Sequence, residues 1–213
     1  GTLALAANTT AGSCTAVGYE ALRANTTGAN NVAMGWGCLK TNTTGDRNIA
    51  IGVLALDVAT TAQYNIGIGN DALGTCTTGS SNTGIGTNVM AAVSTGSNNV
   101  AVGVNALDAL STGNSNTVIG TNAGTTATGS NNTIVGKNAG LNLTSGSNNV
   151  FYGDDAGKDG VRNVTTGSNE VVIGNNQITR AAIKVDWTVG SDERDKADIT
   201  DFTHGLNYVN QLR

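Results

Sequence analysis

The chain contains no proline, few aromatic residues and few charged ones. Of its 213 residues, 4% are aromatic and 12% are charged, and the net charge is −4. Because nucleic acid requires a basic protein surface, the scarcity of lysine and arginine argues against a nucleic-acid partner. No stretch approaches the roughly 18 apolar residues that a membrane-spanning helix needs. We therefore expect neither nucleic-acid binding nor membrane insertion.

Cysteine and histidine are also scarce. Cys14, Cys38 and Cys76 are odd in number and fall at different positions of the repeat described below, so they imply no disulfide framework. His204 is the single histidine of the chain, which argues against a site built from histidine and cysteine ligands. We expect no metal and no cofactor.

Glycine is abundant, and its spacing is regular. The 30 glycines would suit a low-complexity linker if they were randomly placed. Instead a glycine recurs every 17 residues, with one interval of 16 and one of 21. These phase glycines are Gly1, Gly18, Gly35, Gly52, Gly69, Gly86, Gly103, Gly120, Gly136, Gly153 and Gly174. A fixed period of this length predicts one small unit stacked about ten times along an axis.

Each repeat predicts one short strand and an opposite wall. Before the phase glycine come a large, a small and a large residue, as in Ile49-Ala50-Ile51, which is the period of two of a strand. We expect the β-branched residues to face the core together and the glycine to turn the chain with φ > 0. A second apolar pair, such as Ala55-Leu56, predicts the other wall of a flattened coil. Corners such as Thr43-Thr44-Gly45 close each turn.

Asparagine occupies one position of nearly every repeat. Stacked turns place equivalent residues about 4.8 Å apart, so their side-chain amides can bond to one another along the stack. The members of this predicted ladder are Asn31, Asn48, Asn65, Asn82, Asn99, Asn116, Asn132 and Asn149.

The apolar content of each repeat predicts association between chains. About five modest apolar side chains per repeat make a thin core, which favours further burial against other copies. We expect the small middle residue of each strand to form that contact, because Ala and Gly let backbones approach closely. This position becomes bulkier toward the C-terminal end, through Ala101, Val118, Ile134, Phe151 and Val172. We therefore predict a homotrimer whose chains pack more tightly from Val118 onward.

The regular pattern ends near the C-terminus. The predicted domains are a β-repeat shaft over 1–174, a closing strand region over 175–190 and a different segment over 191–213. Apolar residues at three- and four-residue spacings in the last segment predict an amphipathic helix. The predicted fold is all-β: a 17-residue-repeat β-solenoid or β-roll in a homotrimeric fibre, with a short C-terminal α-helical segment. A solenoid in each chain and an interwound triple β-helix both fit the repeat.

Two groups of residues are candidates for binding. Tyr19 and Trp36 share one position on adjacent repeats, so they form either an exposed aromatic step suited to sugar faces or a contact with a neighbouring chain. The longer last repeat predicts a lateral bulge, which is either a binding site or a solvated loop. It concentrates the charges of Asp154, Asp155, Lys158, Asp159 and Arg162.

The run from Val189 to Ile199 resembles the opening of the endosialidase-type intramolecular chaperone domain, classed as peptidase family S74. The family hallmark, Ser-Asp-x-Arg-x-Lys, matches at Ser191, Asp192, Arg194 and Lys196. The preceding repeats resemble those of phage tail-fibre shafts and, more distantly, of trimeric adhesin heads. The resemblance implies that the C-terminal domain trimerises the fibre and then cuts itself away, with Ser191 as nucleophile and Lys196 as its base. The alternative role for Ser191 is to cap the following helix.

Together these features predict a structural, host-receptor-binding tail fibre of a phage virion. It would act by adhesion rather than as an enzyme, apart from a single self-cleavage at Ser191. Its expected partners are two further copies, a host cell-surface glycan and other tail proteins. The alternatives are a bacterial trimeric adhesin head and a polysaccharide-degrading tailspike. The tailspike needs a set of acidic groups, and Asp57, Asp71 and Asp108 are expected to be scattered rather than aligned.

Overall fold

A computed structural model of the chain describes residues 1–158 and 162–179. Within these ranges it contains ten strands of three residues each and no helix. The strands are β1 (Thr15–Val17), β2 (Val32–Met34), β3 (Ile49–Ile51), β4 (Ile66–Ile68), β5 (Thr83–Ile85), β6 (Val100–Val102), β7 (Thr117–Ile119), β8 (Thr133–Val135), β9 (Val150–Tyr152) and β10 (Val171–Ile173). The predicted strand positions are therefore confirmed.

The strands form one parallel sheet in chain order, each hydrogen-bonded to its neighbours in sequence. Ile49 pairs with Ile66, one period of 17 residues away. The interval is 16 between Thr117 and Thr133 and 21 between Val150 and Val171, as the glycine spacing predicts. One repeat is thus one turn, and each chain coils on itself. The fold is an all-β parallel solenoid and not an interwound triple helix.

The phase glycines adopt the predicted backbone conformation. From Gly18 to Gly153 their φ angles lie between 117° and 143°. A Cβ atom at Gly103 would also lie 2.5 Å from the carbonyl oxygen of Gly120, one turn away. Glycine is therefore required both by its φ angle and by the close approach of successive turns.

The asparagine ladder is confirmed, and its members are at most 1% exposed. Asn99 shows the full pattern, which Asn48 and Asn116 repeat. Its Nδ2 donates to Oδ1 of Asn82 at 3.0 Å and to the carbonyl oxygen of Gly113 at 2.9 Å. Its Oδ1 accepts from the backbone N–H and the Nδ2 of Asn116, both at 3.0 Å. Each side chain therefore joins three successive turns with buried hydrogen bonds.

The predicted orientation of the strands is wrong. The middle residue of each strand from β2 to β10 is buried, whereas its two large neighbours are half-buried or exposed. Ala50 is fully buried between the half-buried Ile49 and Ile51. The reason is the narrow space between the walls, because Leu side chains of the opposite wall already fill it. Only Ala or Gly fits there in β2 to β6, so the large side chains point outward.

The bulky middle residues near the C-terminal end face the core as well. Ile134 and Phe151 fit because the leucine position of the opposite wall becomes glycine, whereas Val118 is buried with Leu107. A Cβ at Gly124 would lie 3.1 Å from Cδ1 of Ile134, and one at Gly140 would lie 2.8 Å from Cδ2 of Phe151. The predicted tightening of packing between chains from Val118 onward is therefore wrong in its basis, since this column is internal.

Successive turns thus combine one large and one small side chain across the core. The pairs, each joining the opposite wall of one turn to the strand of the next, are Leu22 with Ala33, Leu39 with Ala50, Leu56 with Gly67, Leu73 with Gly84, Met90 with Ala101, Leu107 with Val118, Gly124 with Ile134 and Gly140 with Phe151. The combined volume is similar in all of these pairs except Leu107 with Val118, as close packing favours.

The compact unit that contains the sheet comprises Gly1–Ile178. The predicted helix over 191–213 and the alternating residues Ile183 to Val189 of the closing strand region lie outside the described residues. The domain boundaries at 174 and 190 stay predictions.

Candidate functional site

The outer side of the sheet carries two apolar columns, formed by the first and third residues of every strand. We call this surface the sheet face. Its twenty side chains include no charged residue, and the polar ones are Thr15, Thr83, Thr117 and Thr133. Exposure is highest at its two ends, at 54% for Val17 and 64% for Ile173. A long apolar strip is therefore exposed along the solenoid.

Tyr19 and Trp36 occupy the column that follows the phase glycines, beside the sheet face. Each is 45% exposed, and they lie on adjacent turns, as the shared position predicts. The exposed residues Val17, Met34 and Val53 are their neighbours in sequence or column. We call Tyr19 and Trp36 the aromatic step. It therefore lies at the edge of the sheet face, on the first turns.

Three charged residues that the sequence analysis did not select lie on the same turns. Glu20 is 8% exposed. Its Oε1 accepts from Nη1 of Arg23 at 2.8 Å, and its Oε2 lies 3.4 Å from Nζ of Lys40. One carboxylate thus holds two cations, and we call these residues the Glu20 cluster. The sequence does contain a signal for this cluster. Arg23 and Lys40 are 17 residues apart, so they occupy the same repeat position on adjacent turns.

The predicted charged bulge is held largely by internal ion pairs. Nζ of Lys158 lies 2.9 Å from Oδ1 of Asp155, which also accepts from Asn138 at 3.0 Å. The hydrogen bonds from Lys158 and Asn138 hold the pKa of Asp155 below its ordinary value. Arg162 pairs with Glu170, the residue that replaces asparagine at the end of the ladder.

Asp154 of this group is exposed, and Asp159 lies outside the described residues. The aromatic step belongs to the turns of β1 and β2, whereas Asp154 and Asp155 follow β9. The structure therefore brings Tyr19 together with Trp36, but it does not bring the two candidate groups together.

The acidic residues of the middle turns are more closely aligned than predicted. Asp57 and Asp108 share one column three turns apart, and the two intervening turns have Gly74 and Ala91. A Cβ at Gly74 would overlap Oδ1 of Asp71, so the Asp71 carboxylate reaches this column. Burial raises the pKa of all three acids, and the charge of Asp71 raises those of Asp57 and Asp108 further. The three acids thus approach one column, but the turn with Ala91 interrupts it, so they form no continuous acidic column.

Two of the three cysteines, Cys38 and Cys76, are fully buried. Burial raises the pKa of the Cys38 thiol and brings that of Cys76 to about 11, so both stay protonated at neutral pH. Over residues 1–158 and 162–179, no group of three His, Cys, Asp or Glu side chains could hold a metal ion. The same ranges contain no helix long and apolar enough to cross a membrane.

The predicted nucleophile Ser191 and its base Lys196 lie outside the described residues, so their roles stay predictions. Comparison with protein-family models, with curated proteins and with solved structures finds no match to the chain.

Proposed function

We propose that this chain forms the shaft of an adhesive, homotrimeric tail fibre of a phage virion. The sheet face is the observation that carries this proposal. Ten three-residue strands give it an area of roughly 500 Å² at the level of the backbone. The largest apolar patch of a typical monomer is about 300–600 Å² and is often functional. A strip of this size, free of charge, favours burial against another chain.

Identical copies suit this surface. Because the sheet face runs along the stacking axis, a cyclic arrangement places each turn of one copy beside the equivalent turns of its neighbours. Because the sheet face has no charged side chain, equivalent turns of two copies would not bring like charges together there. The contact uses the outward-facing β-branched residues, not the small middle residues expected from the sequence.

The resemblance to the S74 chaperone at Ser191 to Lys196 supports three copies and a place in the virion, since that family trimerises the C-termini of phage fibres. Adhesion needs no catalytic group, because several weak receptor contacts act together in a fibre of three chains. In this proposal the partners are a host surface glycan and other tail proteins.

We predict that the wild-type chain has a solution mass three times the 21.3 kDa of one chain. Ile85→Arg combined with Ile119→Arg places two charges on the sheet face and is expected to give monomers, because burying unpaired charges is costly. The matched control is Thr78→Arg combined with Thr112→Arg, on an exposed corner column. Light scattering coupled to gel filtration measures the masses. A monomeric wild type, or equal dissociation of the control, contradicts the proposed assembly.

A second prediction concerns self-cleavage. The full-length wild-type protein is expected to lose the segment beginning near Ser191, whereas Ser191→Ala and Lys196→Met remain uncut. The hydroxyl is the attacking group and the amine its base, so either change removes the reaction. A denaturing gel compares the band sizes. Equal sizes for wild type and Ser191→Ala would refute self-cleavage. The trimeric assembly would still be tested separately by light scattering.

A further inference from the structure

The aromatic step and the Glu20 cluster occupy the same two turns of the solenoid. Tyr19 and Trp36 are the first residues after Gly18 and Gly35, and Arg23 and Lys40 are the fifth. Four residues of extended chain span at most about 14 Å. An aromatic platform and a pair of cations therefore lie within the length of a short oligosaccharide.

The cations of this region retain binding capacity. Arg23 and Lys40 have side chains that are 43% and 30% exposed, and both pair with the single carboxylate of Glu20. Two positive charges share one negative charge, which leaves a net charge of about +1. Arginine has five N–H donors in a fixed fork, and one of them bonds Glu20. The remaining donors suit a carboxylate ligand.

One other exposed ring in the described shaft lies beside an exposed cation, but there the guanidinium of Arg47 lies over the ring of Tyr64, 5.3 Å from its centroid, and covers the face that a sugar would use. Between Asn48 and Gly136 the sequence has no lysine or arginine, and that segment carries the acids Asp57, Asp71 and Asp108. The column of the aromatic step also becomes polar or charged further along, ending in Lys137 and Asp154. The turns of Tyr19 and Trp36 therefore combine two exposed rings with two partly exposed cations that pair with a carboxylate instead of covering a ring.

From this coincidence we infer that Tyr19, Trp36, Arg23 and Lys40 bind an acidic oligosaccharide. The apolar face of a pyranose ring covers the exposed aromatic rings, and a carboxylate on the same or the next sugar accepts hydrogen bonds from Arg23 and Lys40. Glu20 acts as a positioning residue that holds the two cations. This inference rests on the proposed adhesive function and deepens it by naming the class of receptor.

The test uses the assembled wild-type protein and two acidic probes, 3′-sialyllactose and trigalacturonate, with lactose as the neutral probe. We expect at least one acidic probe to bind and lactose to bind at least about tenfold more weakly. Trp36→Ala and Arg23→Gln are each expected to reduce affinity about tenfold, since aromatic and arginine side chains dominate binding energies. Affinity should also fall with added salt. Titration by NMR or calorimetry measures these affinities.

The controls make equivalent changes away from the site. Tyr64→Ala removes an aromatic ring that is 50% exposed and lies outside the sheet face, and Lys137→Gln removes a cation of the distant turns. Both should bind as wild type does. Absence of binding by both acidic probes, or equal binding of lactose, overturns the inference.

The solution mass separates this result from the assembly. If Trp36→Ala dissociates the trimer, the aromatic step is an interface between chains, and the binding site is refuted while the fibre is supported. If the wild type is monomeric but binds the acidic probe through Trp36 and Arg23, the site stands and the trimeric fibre fails.

Discussion

Replacing Asn99 by alanine is expected to lower the free energy of unfolding by about 4 kcal/mol, because it leaves several buried groups without partners. The backbone N–H of Asn116 loses its acceptor, and the carbonyl oxygen of Gly113 loses its side-chain donor. Neither group can reach water, since the ladder is enclosed by successive turns. Urea unfolding at fixed protein concentration measures the loss, and hydrogen exchange at the Asn116 amide locates it.

Asn42 provides the matched control. It is fully buried, but its Oδ1 has no hydrogen-bond partner and supports no backbone group of the next turn. Its Nδ2 donates to Oδ1 of Asn25 at 2.7 Å and to the carbonyl oxygen of Gly45 at 3.0 Å. Asn42→Ala should therefore cost about 2 kcal/mol less than Asn99→Ala. Equal losses would contradict the role of the ladder.

Asn99→Asp keeps the shape of the side chain and adds pH dependence. The second carboxylate oxygen would face two acceptors, Oδ1 of Asn82 and the carbonyl oxygen of Gly113, so the folded-state pKa is expected above the ordinary value of about 3.9. The neutral acid can donate one bond, whereas the ionised form cannot. The destabilisation relative to wild type should therefore be smallest below pH 4 and grow as pH rises through the raised pKa. A difference independent of pH would contradict it.

The features fixed by the repeat period were predictable from sequence. Strand positions, register, the positive φ of the phase glycines and the asparagine ladder all follow from equivalent residues stacking one turn apart. The repeat period does not determine which side chains of a strand face the core. A large-small-large triplet such as Ile49-Ala50-Ile51 fits either orientation, with the large residues pointing inward or outward. The distance between the walls decides it, and Leu56 of the opposite wall sets that distance. The leucines of this wall also adopt left-handed backbone conformations, with φ of 53° at Leu56, which no local propensity favours.

The candidate site was predictable in part. The shared repeat position of Tyr19 and Trp36 was enough to place them together and outward. The Glu20 cluster was not predicted because its three charged residues lie in repeats of regular length. The sequence analysis selected charges only in the longer last repeat. The approach of Asp71 to Asp57 and Asp108 was missed for a different reason. Asp71 occupies a different repeat position, and its carboxylate reaches the column of Asp57 and Asp108 only because Gly74 has no side chain there.

Gly124 of the opposite wall and Ile134 of β8 share one space in the core, so changes at these two positions are expected to have large effects on the free energy of unfolding. Ile134→Ala alone should cost about 2–5 kcal/mol through the cavity it creates. Gly124→Leu alone should cost about 3–5 kcal/mol, because the new side chain meets Ile134 and because leucine is disfavoured at the φ of 54° found there. Combined, the two changes recreate the leucine and small-residue pair of earlier turns, as at Leu73 and Gly84. We expect the double variant to lose only about 1–2 kcal/mol, the cost of the left-handed leucine.

A double-mutant cycle on urea unfolding tests this, with Gly124→Leu combined with Leu39→Ala as the control pair. Leu39 is a fully buried residue of the same wall, five turns away from Gly124. The control pair should therefore be additive within about 0.5 kcal/mol, while the first pair should couple by about 3 kcal/mol or more. Additivity in both cycles would mean that the walls relax independently, and the bulky C-terminal strand residues would then need another explanation. Coupling confined to the first pair would mean that the distance between the walls, rather than residue size at either position, is what the sequence conserves from turn to turn.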